Sequence, residues 1–413
     1  MKLLRSRFRA SEFPPEEAAA VQETLVALCD NAETQNMIGD VLADSSAGAT
    51  QHVFLLDTID QCTVKKFPSV WTNRLRDDLH GKNATVRARA LALIRSRQLA
   101  GLDGELQRIA NSGLETNDLR TAALGVLVSH SAALSEPSFQ FLLSQLRPEN
   151  DADLRQTAAQ IVGRAKLSDS QLLVLAREHL SQADPLILPN LLDAFQASHN
   201  EGVGKAMISG LLNSQHPADG IAAERIPELM KHFPAPVQSA AQPLMARIQK
   251  EKDSRAERLK LLEPLLTGGD PDRGREVFFG KKTGCSSCHT IMADGGDVGP
   301  DLTGVGAIRS GLDLLEAIVY PSASFVPGHE VYRVETAREV YTGVQGESAP
   351  DSILIISGPR DRVRIPRKEI LSIRPSSVSL MPDGFAESLT RRELSDLLAF
   401  LESQKSRTVA AIH

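Results

Sequence analysis

The chain has 413 residues, enough for two or three domains, and its formal net charge of −6 argues against nucleic-acid binding. Hydrophobic residues make up 42% but aromatics only 4%, a skew toward Leu and Ala that suits packed helices. No run approaches the roughly 20 apolar residues of a spanning helix, which excludes a transmembrane segment in the sequence as read.

Met1 to Ala10 reads MKLLRSRFRA, basic but with no apolar stretch behind it and with Pro14 and Pro15 following, so it does not serve as a secretory signal. Residues 1–15 are expected to be a disordered or truncated lead-in. From 16 to 267 the sequence reads as helices of ten to fifteen residues separated by short polar breaks. The segments from Asn83, Asn117 and Ala152 share a polar cap, an aliphatic, an arginine and then alanines, with Arg87, Arg120 and Arg155 lying 33 and 35 residues apart. A weaker fourth copy begins at Asp184-Pro185-Leu186, where proline early in a helix costs little. Small residues let helices approach closely, and a lone pair cannot bury its apolar face, so stacking into an α-solenoid is expected. This D-x-x-R pattern followed by alanines resembles HEAT repeats.

Nothing in this region reads as catalytic. His52, His80, His130, His179, His199, His216 and His232 are scattered, without the i, i+4 pairing of a helical metal site. Cys29 and Cys62 could be a disulfide in an exported protein or buried free thiols. Thr267-Gly268-Gly269-Asp270-Pro271 breaks the helical pattern and places a boundary, giving a second domain from 268 to 413.

Cys285-Ser286-Ser287-Cys288-His289 is the most informative run. Two thiols can add across haem vinyl groups, and the adjacent histidine offers a ring nitrogen to the iron. Cysteine is scarce, four in all, so a chance match is improbable. Zinc would need further ligands at short spacing, and no second pair follows Cys288. A thioredoxin-type pair would need a long helix opening at the motif, which the following glycines and prolines oppose.

Asp272 to Phe279 should form a short helix before the motif, with Gly274 four residues ahead of Phe278. Thr390-Arg391-Arg392-Glu393 is a capping box opening a helix whose Leu394, Leu397, Leu398, Phe400 and Leu401 make an apolar stripe. This arrangement resembles class I cytochromes c, whose first and last helices cross beside the haem. The resemblance implies that Pro300, in Gly299-Pro300-Asp301-Leu302, offers its carbonyl to the second nitrogen of His289, and that Leu302 packs on the haem face. It implies Met381, in the turn before the last helix, as the sixth iron ligand. His329 is the competitor, and Met292 lies too near His289 to reach the opposite face.

Between about 330 and 375 the chain reads as five short β-branched strands, expected as a meander. Small cytochromes c lack such an insert. The motifs from Gly274 to Leu401, with Pro321-Ser322 and Ile373-Arg374-Pro375-Ser376 among them, are similar to the haem-binding domain of planctomycetes and verrucomicrobia. In that family the domain often follows HEAT-like repeats, themselves preceded by a propeller resembling sugar dehydrogenases. The expected fold class is therefore mainly α, a HEAT-like α-solenoid followed by a class I cytochrome c-like domain with a small antiparallel β insert.

The resemblance implies one covalent haem c per chain, His/Met ligation, and electron transfer from a sugar or alcohol dehydrogenase, as a separate partner or a missing segment. Haem c is normally attached outside the cytoplasm, so the protein is expected to be periplasmic or otherwise exported. The missing signal then implies a start further upstream or a piece of a longer exported protein. Two other classes stay open: a haem-based sensor or peroxidase with a displaceable sixth ligand, and a non-haem scaffold whose cysteine pair holds zinc.

Overall fold

The computed structural model describes residues 15–44, 47–64, 66–131, 133–184, 186–214, 225–323, 325–349, 351–376 and 378–405. The expected lead-in of residues 1–15, apart from Pro15, lies outside them, as do Pro185 and His216. The protein is mainly α, with two small antiparallel sheets. Contacts divide it into two compact units, the first Met1–Ser131 with Ser348–Ser352 and Asp361–Arg364, the second the remainder. No helix among the described residues is long and apolar enough to cross a membrane.

The first unit carries α1 (Pro15–Ala27), α2 (Ala32–Leu42), α3 (Ala49–Gln61), α4 (Ser69–His80), α5 (Ala84–Ser96), α6 (Asp103–Asn111) and α7 (Asn117–Ser131). Alternate helices pack on each other, α1 on α3, α3 on α5 and α5 on α7, while α2 packs on α4. Asn31 and Asn83 cap α2 and α5 by accepting bonds from the backbone amides of Glu33 and Val86, satisfying donors that the first turn leaves free. Leu55, Leu75, Leu93 and the single tryptophan, Trp71, are fully buried in this core.

The second unit continues with α8 (Glu136–Gln145), α9 (Ala152–Arg164), α10 (Asp169–Val174), α11 (Leu188–Asp193), α12 (Glu201–Leu212), α13 (Arg225–Met230), α14 (Ala235–Ala240), α15 (Gln242–Asp253) and α16 (Arg255–Leu262). The motif arginines join each helix to a neighbouring loop. Arg87 on α5 makes two 2.7 Å bonds to Glu115 ahead of α7, and Arg155 on α9, 2% exposed, pairs with Asp184 ahead of α11. Arg120 instead donates to the Ala110 carbonyl at 3.1 Å. Of the scattered histidines, His130 pairs with Asp103 at 2.7 Å and the His199 ring donates to the His232 carbonyl at 2.7 Å.

The rest of the second unit is framed by α17 (Pro271–Phe279) and α22 (Arg391–Ser403), which pack closely against each other. Gly274 makes that crossing possible, because a Cβ there would overlap the carbonyl oxygen of Asp396 and lie 2.6 Å from the Phe400 Cβ. The Phe278 and Phe400 rings stack at 5.6 Å beside it. Arg273 locks the crossing with bonds of 2.7 and 2.9 Å to Asp396, which is 3% exposed. That pair holds the Asp396 carboxyl below its usual range, chiefly through the Arg273 bonds. Thr390 and Glu393 form a reciprocal capping box, and the α22 stripe of Leu394, Leu397, Leu398, Phe400 and Leu401 is buried.

Between these helices lie α18 (Cys285–Cys288), the two-residue strands β1 (Thr290–Ile291) and β2 (Asp294–Gly295), α19 (Val305–Ile308) and α20 (Gly311–Val319). The insert follows as β3 (Val331–Thr336), β4 (Val340–Ser348), β5 (Ser352–Gly358), β6 (Asp361–Pro366) and β7 (Ile370–Pro375), and α21 (Phe385–Ser388) precedes α22. All five expected strands form, in the order β6-β5-β4-β3-β7. This corrects the expected meander, because β7 pairs antiparallel with β3 rather than with β6. A single turn, Arg367–Glu369, separates β6 from β7, and so short a link spans only about 10 Å. The strongly twisted sheet must therefore curl to bring its first strand within reach of its last.

Candidate cofactor site

The C-x-x-C-H run forms a single helical turn, α18, that stops at His289 in an extended conformation. A two-residue hairpin follows at once, with Met292 and Ala293 at φ +52° and +66° and Met292 66% exposed, away from the site. Asp301 and Thr303 then order a turn, with the Asp301 carboxylate accepting from the Thr303 amide at 2.8 Å, and Leu302 is tied back to Thr290 by a 2.8 Å backbone bond. These short constraints fold the chain from 285 to 303 tightly around one imidazole.

His289 Nδ1 lies 2.9 Å from the Pro300 carbonyl oxygen. A carbonyl can only accept, so the proton sits on Nδ1 and Nε2 keeps its lone pair, the form a metal ligand requires. Burial pushes the imidazole pKa down, against the raising effect of the Pro300 bond, and His329 lowers it further. Gly299 is needed for this geometry, since a Cβ there would stand 2.5 Å from His289 Cε1 and 2.7 Å from Nδ1.

His289, Cys285 and Cys288 line one cavity of about 260 Å³, together with Pro300, Leu302 and Met381. All six residues singled out in the sequence thus meet in one place. Both cysteines are free thiols, half-buried because one side faces the cavity. Desolvation pushes both thiols up, Cys288 to about 12 with a contribution from Asp153. Met381 sits in a loop whose backbone amide donates to Ser379 Oγ at 3.1 Å, and the Ser379 amide donates to Ser322 Oγ at 3.1 Å.

Some of the wall was not foreseen from the sequence. Gln156 of α9 and Leu186, just ahead of α11, line the cavity, as do Val331 of β3 and Val344 of β4. Helix α9 is held on the insert by Gln160, whose amide donates to the Ser357 carbonyl at 3.0 Å. The alanine pattern at 158 and 159 carried the signal for a packed helix, but nothing in it marked Gln156 as facing a site. His329 also lines the cavity, and among the described residues its buried Nδ1 has no hydrogen-bond partner.

The donor set suits a haem c. Two thiols capable of thioether links, a neutral imidazole with Nε2 unprotonated and a thioether line the same mostly apolar cavity. Gln156, only 6% exposed, adds a polar side chain to the cavity wall. Among the described residues no three His, Cys, Asp or Glu side chains cluster as a metal-ion site.

No family model matches the chain, and no curated protein does. Among solved structures, an engineered protein from the Northeast Structural Genomics Consortium aligns at 17% identity, over 56% of this chain and 97% of its own, with a TM-score of 0.23. A likeness at that level carries no argument about fold or function.

Proposed function

We propose that this chain is a c-type cytochrome that transfers electrons, built from a HEAT-like solenoid and a class I cytochrome c-like domain with a β insert. The observation that carries the reading is the convergence of Cys285, Cys288, His289 and Met381 on one cavity, with His289 oriented by Pro300. A bound haem would supply one-electron exchange at its iron. Cys285 and Cys288 would hold it as thioethers. His289 would bind through Nε2, Pro300 would fix the tautomer and ring orientation, and Met381 would supply the sixth ligand. Leu302, Val331 and Val344 would exclude water, which with a thioether ligand favours a raised reduction potential. Full ligation leaves no place for a substrate, so the protein relays electrons rather than transforming a molecule. The donor is proposed to be a periplasmic dehydrogenase acting on sugars or alcohols, with the solenoid as its docking surface.

The test is the optical spectrum of protein exported behind a secretion signal in cells that mature c-type haem, recorded before and after dithionite. A low-spin c-type spectrum that survives denaturing extraction is expected, and its absence sinks the reading. Met381→Ala should yield a reduced protein that is high-spin or binds carbon monoxide. An unchanged reduced spectrum would reject Met381 as a ligand.

A further inference from the structure

We infer that His329 is a second iron donor, binding the oxidised iron while Met381 binds the reduced one; this rests on the haem c reading above. Both side chains line the cavity that holds His289. Among the described residues the buried His329 Nδ1 has no hydrogen-bond partner, an arrangement that persists in proteins where a ligand or ordered solvent satisfies the atom. Its backbone is well held. The His329 amide donates to the Val326 carbonyl at 3.0 Å, the Gly328 amide donates to Glu330 Oε2 at 2.9 Å, and Gly328 adopts φ +86°, which a side chain would strain.

The loops bearing the two donors are also joined, through the 3.1 Å bond from the Ser379 amide to Ser322 Oγ. The same cavity therefore presents a nitrogen donor and a sulfur donor. Imidazole nitrogen is the harder ligand and favours the ferric ion, whereas the soft thioether favours the ferrous ion. On uptake of one electron from the redox partner, the bond to His329 breaks and its electron pair stays on the nitrogen. A Met381 sulfur lone pair then forms the new bond. No proton or other group is transferred, and oxidation runs the exchange backwards.

The experiment compares haem-loaded wild type, His329→Ala and Met381→Ala in both oxidation states. Electron paramagnetic resonance and near-infrared magnetic circular dichroism read the ferric ligands, and optical spectra read the ferrous ones. Ferric wild type should show two nitrogen ligands and no sulfur-to-iron charge-transfer band. His329→Ala should gain that band in the ferric state, and Met381→Ala should alter only the ferrous spectrum. A sulfur band in ferric wild type overturns the inference, and that measurement decides the matter even where a variant fails to fold. Failure of the wild type to attach haem overturns the cytochrome reading and this inference with it. It is recognised separately, by the absence of covalent haem after denaturing extraction.

Discussion

Two pairs of cysteines occupy this chain, one fully buried and one half-buried. Cys29 and Cys62, 3% and 1% exposed, lie in the core of the first unit. There Cys62 shares a hydrogen bond with Cys29, and burial pushes its thiol up. Arg97 closes the site by donating to the Cys62 carbonyl at 2.6 Å and to the Ile59 carbonyl at 3.0 Å. In the second unit Cys285 and Cys288 have thiols pushed up for the same reason, yet they face an open cavity beside an imidazole with a free lone pair. The difference lies in the frame around each pair. Helical packing fills the space next to the first pair, while at the second a glycine crossing and a tight loop hold a space open and aim a ligand into it.

The largest effect should come from breaking that frame. Gly274→Ala would drive a methyl group into the Asp396 carbonyl and against Phe400, and neither helix backbone can yield locally. Overpacking of this kind costs about 3 kcal/mol. The thermal midpoint of the second unit, followed by circular dichroism, should fall by roughly 6 to 12 °C, and haem loading should fall with it. The Cys29 and Cys62 thiols should stay protected from alkylation in the same sample. A midpoint equal to wild type, or exposure of both pairs together, would break the claim that the two sites are framed independently.

A smaller and more local change should follow at the ligand itself. Gly299→Ala places a methyl group against the His289 ring, so the imidazole must turn and give up its bond to Pro300. Leaving that nitrogen unpaired costs about 1 to 3 kcal/mol. Circular dichroism should report an intact fold, while the haem-loaded protein shows a weakened or altered low-spin spectrum. A wild-type spectrum in this variant would mean that Pro300 does not orient the histidine.

What the sequence made legible follows from how local each feature is. The Gly274 to Phe278 spacing and the Thr390 capping box are set by neighbours a few residues apart, and each takes the local form expected of it. The five strands were likewise visible as β-branched runs. Their order was not, since pairing of β7 with β3 depends on how far the sheet curls, and no residue in Ile370–Pro375 records that. Gln156 was missed for a similar reason. Its place in the cavity wall depends on α9 meeting the insert about 200 residues later in the chain, through Gln160 and Ser357. His329 was visible as a competitor, but its unpaired nitrogen is a property of packing and cannot be read from Pro327-Gly328-His329-Glu330.

The smallest effect separates the cysteine pairs by titration. Burial, with Cys29 adding to it, raises the Cys62 thiol, so the folded protein keeps that proton where the unfolded chain loses it. The unfolded state then binds fewer protons above its own thiol pKa of about 8.5, and stability must fall as pH rises past that point. Below it, the Cys62 contribution is fully present. For a thiol that stays protonated when folded, the loss between pH 8.5 and 9.5 is about 1 kcal/mol. Trp71, fully buried in the first unit and the only tryptophan, reports denaturant unfolding of that unit through its fluorescence. Cys62→Ala should lower the stability at neutral pH yet flatten its decline from pH 8.5 to 9.5 by that amount. Loading haem should leave the same decline untouched, because the proposed attachment would consume Cys285 and Cys288 only. Parallel declines in wild type and Cys62→Ala would show that the fold does not hold Cys62 in its protonated form.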